Sequence, residues 1–327
     1  MASLVVCGAI NWDISCFVER LPVPGEEVRV KHITRVSGGT GGNVAVAAAR
    51  ILGAKEVALI GALGEDDIAH RQVAALNAEG VITESINHIP GEESGQAYIL
   101  VDQKGQNVIA SRLGANARLC LEHLNTPQAK HQLQECRSIV LTDPPLEVAA
   151  ELINLAKQRS IPTLWDPGIL VSPGWEALQS LAKHTDILFL NEAEATALFG
   201  AAELNVSLQR LQELGFCNHT VLKLGAQGAA MLAAATGMVV EVPALPLKNL
   251  GLNVINTVGC GDAFVGVFAA YRVLGASLQK ALIMASAAAG LNATRPETRG
   301  SPERASLEEV EQRSRGLGFA VKVRKLS

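Results

Sequence analysis

The chain has little of what would mark a scaffold held by covalent or metal cross-links. Its 327 residues include six cysteines (Cys7, Cys16, Cys120, Cys136, Cys217, Cys260) and no C-x-x-C pair. That is too sparse for a disulfide framework, so reduced and mostly buried thiols are expected. The seven histidines are scattered, without the i, i+4 spacing of a helical metal site, which argues against a zinc centre. An excess of charge of one sign is lacking too. The 28 Lys and Arg against 32 Asp and Glu leave a net charge of −4, and the bases are spread along the chain, so neither nucleic acid nor a membrane surface is an expected partner. No apolar run reaches the length of a membrane span, and "MASLVVCGAINWD" lacks the basic and long apolar parts of a signal peptide. A cytoplasmic protein is expected. Aromatic residues are only 4% of the chain, so a stacking cage for a nucleobase is not evident, although Trp12, Phe17 and Tyr98 lie in segments that could reach a pocket.

What is present is 48% hydrophobic residues in a strongly patterned order. The runs "LVVCG", "EVALIG", "SIVLTD", "IPTLWD", "DILFLN" and "TVLKLG" read as strands buried on both faces, and Ala- and Leu-rich segments at 42–52, 147–158, 192–199 and 277–291 read as helices between them. This alternation predicts an α/β fold, a doubly wound and mostly parallel sheet flanked by helices. Ligands on such sheets lie beyond the carboxyl ends of the strands, where Asn11, Asp13, Asp143, Asp166, Asn191 and Gly225 follow a strand directly. Two stretches break the rhythm. Residues 26–39 and 95–111 read as extended chain, the second as a hairpin around "DQKG", and together they could form a small separate sheet acting as a lid or an oligomer contact. With no linker or repeat, residues 1–327 are expected to form one domain with lid segments at about 12–38 and 95–112 inserted in it. The closing "FAVKVRKLS" reads as a terminal edge strand.

The chemistry-bearing motifs are each ambiguous alone. "SGGTGGN" (37–43) precedes an apolar helix and reads either as a tight strand-to-helix turn or as a place where backbone approaches a ligand. It is neither a Walker A loop nor a dinucleotide fingerprint. "GAINWD" puts Asn11 and Asp13 on one side of extended chain, suited to polyol hydroxyls or to turn chemistry. "NEAEA" sets Asn191 and Glu194 on one face of a helix start, an ordinary place for a cap. "KLGAQGAAM" is a strand, a glycine turn and a second strand, either a plain hairpin or a shelf for a purine base. "NTVGCGDAF" (256–264) ends in an apolar helix, and its glycines can turn successive N–H groups to one side, making an anion site with Asp262 at its edge.

Taken in order, N-x-D after the first strand, G-G-x-G-x-N, N-x-x-E, a glycine hairpin and T-x-G-x-G-D resemble the ribokinase family, the pfkB-type sugar kinases. The likeness runs from about residue 4 to residue 315, and "GEESGQAYILVDQKGQNVI" with "GANA" has the cadence of the ribokinase branch. It implies a magnesium-dependent kinase that moves the γ-phosphate of ATP to a sugar hydroxyl, a ribose-like sugar being the best single acceptor. It also implies Asp262 as base, with the N–H groups of Gly259, Cys260 and Gly261 as anion hole. Asn11, Asp13, Gly39, Thr40, Asn43, Asp143 and Asn256 would form or border the acceptor pocket. Asn191, Lys223, Gly225 and Gly228 would border the nucleotide, and Asn191 and Glu194 would hold Mg²⁺ through water. A homodimer in which each lid pairs with its twin is expected from the exposed edges.

The chain departs from the family pattern at three residues and in one stretch. Asn256 replaces a sugar-binding aspartate, Thr40 replaces the lysine usual in ribokinases, and Cys260 replaces a small alanine. The stretch "TRPETRGSP", where ribokinases complete a monovalent-cation site, has a different glycine spacing, so this stretch lends no support to potassium activation. Two other readings stand beside the sugar kinase: a nucleoside kinase on the same fold, and a silent sugar- or nucleotide-binding regulator.

Overall fold

The apolar runs become the strands of two sheets in a computed structural model that describes residues 2–103, 106–171, 174–201, 203–216 and 218–325. In chain order the strands are β1 (Leu4–Gly8), β2 (Asn11–Val18), β3 (Val30–Gly38), β4 (Val57–Leu63), β5 (Ile86–His88), β6 (Gly95–Val101), β7 (Asn107–Arg112), β8 (Ser138–Thr142), β9 (Thr163–Asp166), β10 (Ile187–Asn191), β11 (His219–Lys223), β12 (Ala229–Ala233), β13 (Met238–Val242) and β14 (Lys322–Lys325). The large sheet has the order β14-β13-β12-β11-β10-β9-β8-β1-β4-β5. From β5 to β11 every pairing is parallel; β11 to β14 are antiparallel. No helix among the described residues is long and apolar enough to cross a membrane.

Burial on both faces follows from helices on both sides. Leu4 and Val6 of β1 point into one apolar cluster and Val5 and Cys7 into the other, as the two-residue period of a strand requires. The first cluster takes the helices Thr40–Leu52, Cys260–Val273 and Leu278–Ala293; the second takes Leu146–Arg159 and its neighbours. Two details fix the helix that carries Asp262. Phe189 of β10 meets Phe264 and Phe268 edge-on at 6.2 and 5.3 Å, the geometry that aromatic quadrupoles favour by ~1 kcal/mol beyond burial. Gly266 lies against Val44 and Ala47, where a Cβ would collide with backbone. The helices Thr40–Leu52 and Cys260–Val273 therefore approach closely, which brings Asn43 to Asp262.

The second sheet has the order β3-β2-β6-β7. Asn11 and Asp13 are not in a loop after β1; they open β2, paired on one side with Gly38 and Val36 and on the other with Gly95 and Ala97. The strand within 26–39 begins only at Val30. In the "DQKG" turn, Lys104 and Gly105 lie outside the described residues, as do Cys217 and the last two residues of "FAVKVRKLS". The other five cysteines are free thiols. Unlike the large sheet, this one keeps an exposed face, on which Ile33, Tyr98 and Val108 lie together and are all exposed.

Candidate active site

Glycines shape the turn between β3 and the helix Thr40–Leu52. Gly38 lies under the Asp13 carboxylate, Gly39 has φ 86° with no room for a Cβ above Asn11 and Ala9, and Gly41 packs on Gly8. Only residues lacking Cβ pass through such contacts. The turn thereby delivers Thr40 to Asp143 and Asn43 to Asp262. Thr40 Oγ1 donates to Asp143 Oδ2 at 3.1 Å, while Asn43 Nδ2 donates to Asp262 Oδ2 at 2.7 Å. Asp143 has a left-handed backbone (φ 54°) and accepts at its other oxygen from the Ile169 N–H at 3.0 Å.

Asp262 stands in the first turn of the helix Cys260–Val273, whose N-cap Gly259 is left-handed (φ 80°). Gly259 passes so close to Thr298 that no side chain fits. No side chain caps this helix, so its leading N–H groups are available to an anion, although the Cys260 N–H leans back to Thr257 O at 3.3 Å. Asn256 braces the same turn, accepting from the Val258 N–H at 3.0 Å and donating to Pro296 O at 2.9 Å. Lys223, at the end of β11, is ion-paired with Asp166 of β9 and lies near Gly261. A fixed cation therefore stands beside the anion turn.

Carboxylates crowd this cleft, and burial is the main reason their affinities for protons rise. Asp262 is pushed up to about 6 by burial and by Asp166, against the Asn43 hydrogen bond, Lys223 and Arg299. Burial and Asp262 push Asp13 up to about 7, with Arg299 opposing; burial and Asp166 push Asp143 up to about 7. Burial alone would lower Lys223, but Asp166 and Glu194 outweigh it and hold the ammonium firmly charged.

Asn191 and Glu194 form a capping box on the helix Glu192–Phe199: Asn191 N and Nδ2 donate to the Glu194 carboxylate at 2.8 and 2.7 Å, and Glu194 N donates back to Asn191 Oδ1 at 2.8 Å. Among the described residues no three acidic, His or Cys groups converge to hold a metal directly. Beyond the anion turn, Gly225 and Gly228 line a mostly apolar cavity of about 320 Å³ together with Leu245, Val254, Cys260 and Ala293.

The sequence-predicted residues thus fall in two groups along one cleft. Asn11, Asp13, Gly39, Thr40, Asn43 and Asp143 gather on one side of Asp262, and Lys223, Gly225 and Gly228 on the other. Three participants were not picked out from the sequence. Asn116 Nδ2 donates to Asn11 Oδ1 at 2.9 Å and its Oδ1 accepts from Ile10 N at 2.9 Å, clamping the start of β2. Gln72 Nε2 donates to Asn11 O, and Arg299 donates to Asn43. Asn116 lies within the quoted "GANA" and Arg299 within "TRPETRGSP", but nothing local marks either side chain as inward.

A buried carboxylate beside an uncapped helix start, between a pocket of polar side chains and an apolar cavity, is an arrangement suited to a phosphotransferase acting on an alcohol. The model of the pfkB family carbohydrate kinases matches residues 1–305, and the chain belongs to that family. It is 30% identical over 278 residues to the ribokinase of Mus musculus, covering 83% of this chain and 81% of that one. It is 28% identical over 298 residues to a bifunctional ribokinase/ribose-5-phosphate isomerase A of Fructilactobacillus sanfranciscensis, covering 89% of this chain and spanning about half (52%) of that longer protein. The structure of Arabidopsis thaliana ribokinase complexed with ribose and ATP superposes with a TM-score of 0.84 at 26% identity, covering 95% of this chain and 99% of that one.

Proposed function

We propose that this carbohydrate kinase transfers the γ-phosphate of ATP to a hydroxyl of a ribose-like sugar, with Asp262 as the base. The observation that carries the reading is the 2.7 Å bond from Asn43 to Asp262, which ties the polyol-side turn to the carboxylate of the anion turn. Asn11, Asp13, Asn43 and Asp143 are the acceptor side chains, and Gly39 and Thr40 shape their wall. An amide such as Asn43 both donates and accepts, so it suits a hydroxyl. Asn256 acts on the acceptor side through its brace on the anion turn.

Transfer needs in-line positioning, charge neutralisation and a proton acceptor. The N–H groups of Gly259, Cys260 and Gly261 with the Lys223 ammonium supply the second, and Asp262 supplies the third. Because an aspartate is a weak base for an alcohol, it takes the proton late, as the oxygen bonds to phosphorus. Lys223, Gly225 and Gly228 border the nucleotide, whose base fits the apolar cavity. Asn191 and Glu194 face the same side; their donors suit a Mg²⁺ that keeps its water shell, since each Glu194 oxygen has a lone pair beyond the cap. When bound with the nucleotide, Mg²⁺ supplies neutralisation of phosphate charge.

Residues 1–327 work as one domain, with segments 12–38 and 95–112 as a lid and, through the exposed face of the second sheet, as a homodimer contact in a cytoplasmic enzyme. Light scattering that gave a monomer at micromolar concentration would remove the dimer. A panel of pentoses, hexoses, polyols and nucleosides with Mg-ATP, read as ADP release, tests the reaction. Turnover with ribose-like pentoses is expected; turnover with nucleosides alone would replace the sugar.

A further inference from the structure

Among the described residues, Arg299 is the cation that stands beside Asn43, Asp13 and Asp262 on the acceptor side. Its Nε donates to Asn43 Oδ1 at 3.0 Å, and one terminal nitrogen donates to Gly38 O at 3.0 Å and Gln72 Oε1 at 3.4 Å. Space for the guanidinium exists because position 42 is glycine: a Cβ on Gly42 would meet that terminal nitrogen at 2.5 Å. An amide has two ends. With Oδ1 held by Arg299, Asn43 can present only Nδ2 to Asp262, as it does at 2.7 Å. Reversal of the amide would set two N–H groups against the guanidinium and a lone pair against a carboxylate.

We propose that Arg299 is a positioning residue for phosphoryl transfer: its guanidinium fixes the Asn43 amide toward Asp262 and supplies the positive charge that the Asp13 and Asp262 carboxylates share. This rests on the reading of Asp262 as base. The charges that face Asp262 are Asp166, Lys223 and Arg299, with Asp13 and Asp143 also interacting; those that face Arg299 are Asp13, Glu79, Asp262 and Arg50. Arg299 opposes the rise of both Asp13 and Asp262. Its removal leaves Lys223, already committed to Asp166, as the cation that lowers Asp262 among the described residues.

The backbone of this loop is held independently of the Arg299 side chain. Arg50 donates to the carbonyl of Arg299 at 2.8 Å and to that of Ser301, and is itself paired with Glu79 at 2.6 Å. Substitutions at Arg299 are therefore expected to keep the loop in its path.

The test uses the full chain with ¹³C-labelled aspartate. The Asp262 carboxyl, assigned by its loss in Asp262→Asn, is titrated in wild type, Arg299→Gln and Arg299→Lys. Arg299→Gln should raise its midpoint by about half a unit to one unit, while Arg299→Lys, which keeps the charge, should leave it within ~0.3 unit of wild type. In ADP release, Arg299→Gln should lose roughly 10²-fold and Arg299→Lys roughly 10-fold in kcat, with KM for ATP unchanged, because only the acceptor side is altered. Guanidinium ion should restore part of the turnover of Arg299→Gly, and the losses of Arg299→Gln and Asn43→Ala should be non-additive. An unmoved Asp262 midpoint together with kcat within ~2-fold of wild type would overturn the proposal. If the wild type transfers no phosphate to any sugar, the base assignment fails, but the titrations still judge the Arg299 contact. If Arg299→Gln does not fold, Arg299→Lys decides: full turnover would overturn the fork-specific hold on Asn43.

Discussion

The two sides of the cleft are built from different materials. On the acceptor side, Asp13, Asn43, Asp143 and Arg299 are largely buried and each is tied to a neighbour by a named hydrogen bond or charge. On the donor side, glycine turns and an apolar cavity do most of the shaping, with Val254 exposed at its edge. Directional side chains discriminate among hydroxyls, because an unmatched buried donor or acceptor costs ~1–3 kcal/mol. Apolar walls and backbone discriminate weakly. The difference teaches that selectivity for the sugar should be sharp and hard to relax without loss of stability, whereas the nucleotide side should tolerate change.

Substitutions on the two sides should break this contrast if it is wrong. The largest effect is expected at the junction: Asp262→Asn should fold and bind ATP within ~2-fold of wild type, yet lose 10²-fold or more in kcat, as only proton acceptance is removed. Calorimetry for ATP and ADP release for turnover check the two halves of that statement. Next come the glycines. Gly39→Ala meets backbone at Asn11 and Ala9 in a left-handed conformation, whereas Gly225→Ala, also left-handed (φ 52°), meets nothing nearer than Glu192 at 3.8 Å. Gly39→Ala should destabilise by ~2–3 kcal/mol or more and Gly225→Ala by ~1 kcal/mol, measured by urea unfolding. Equal losses would show that the acceptor turn is no more constrained than the donor turn.

A smaller effect is expected from Asp13. Its carboxyl, 3.8 in a model peptide, is raised to about 7 in the fold, first by burial and then by Asp262. A raised carboxyl binds more protons folded than unfolded, so its contribution to stability is present below about 4 and lost as pH rises through about 7. Asp13→Asn should therefore stabilise the ligand-free protein by ~1 kcal/mol at pH 8 and leave it unchanged near pH 4, while weakening sugar binding. Identical thermal melts of variant and wild type at pH 8 would mean that Asp13 is not strained in the empty cleft. The smallest effect is at Glu194→Gln, which keeps one of the two acceptors of the cap and removes the carboxylate: the magnesium midpoint should rise a few-fold, with turnover at saturating magnesium within ~2-fold.

The parallel core was legible because strands buried on both faces leave uninterrupted apolar runs: "LVVCG" and "DILFLN" became β1 and β10 almost to the residue. The second sheet was legible only as extended chain. Its start at Val30 rather than Glu26, and the placement of Asn11 and Asp13 inside β2, depend on pairing with Gly38 and Gly95 across the chain. Glycine motifs marked the two turns of the site, since close approach of backbone leaves a compositional trace. Asn116, Gln72 and Arg299 left none. Two lie in stretches that the family resemblance marks, but the direction of each side chain is set by partners 61 to 256 residues away. The Asn191–Glu194 box was legible as a cap from its i, i+3 spacing alone, and the same spacing says nothing about metal.

The most direct measurement of the central claim is the pH dependence of ribose-dependent ADP release in wild type and Asp262→Asn. Asp262 is raised to about 6, and a base works only when ionised. The wild-type kcat should hold on a plateau above pH 7 and fall as pH drops through about 6, while the variant should show a low rate with no such limb. A wild-type rate flat from pH 5 to 8, or a folded Asp262→Asn with the wild-type rate, would contradict it.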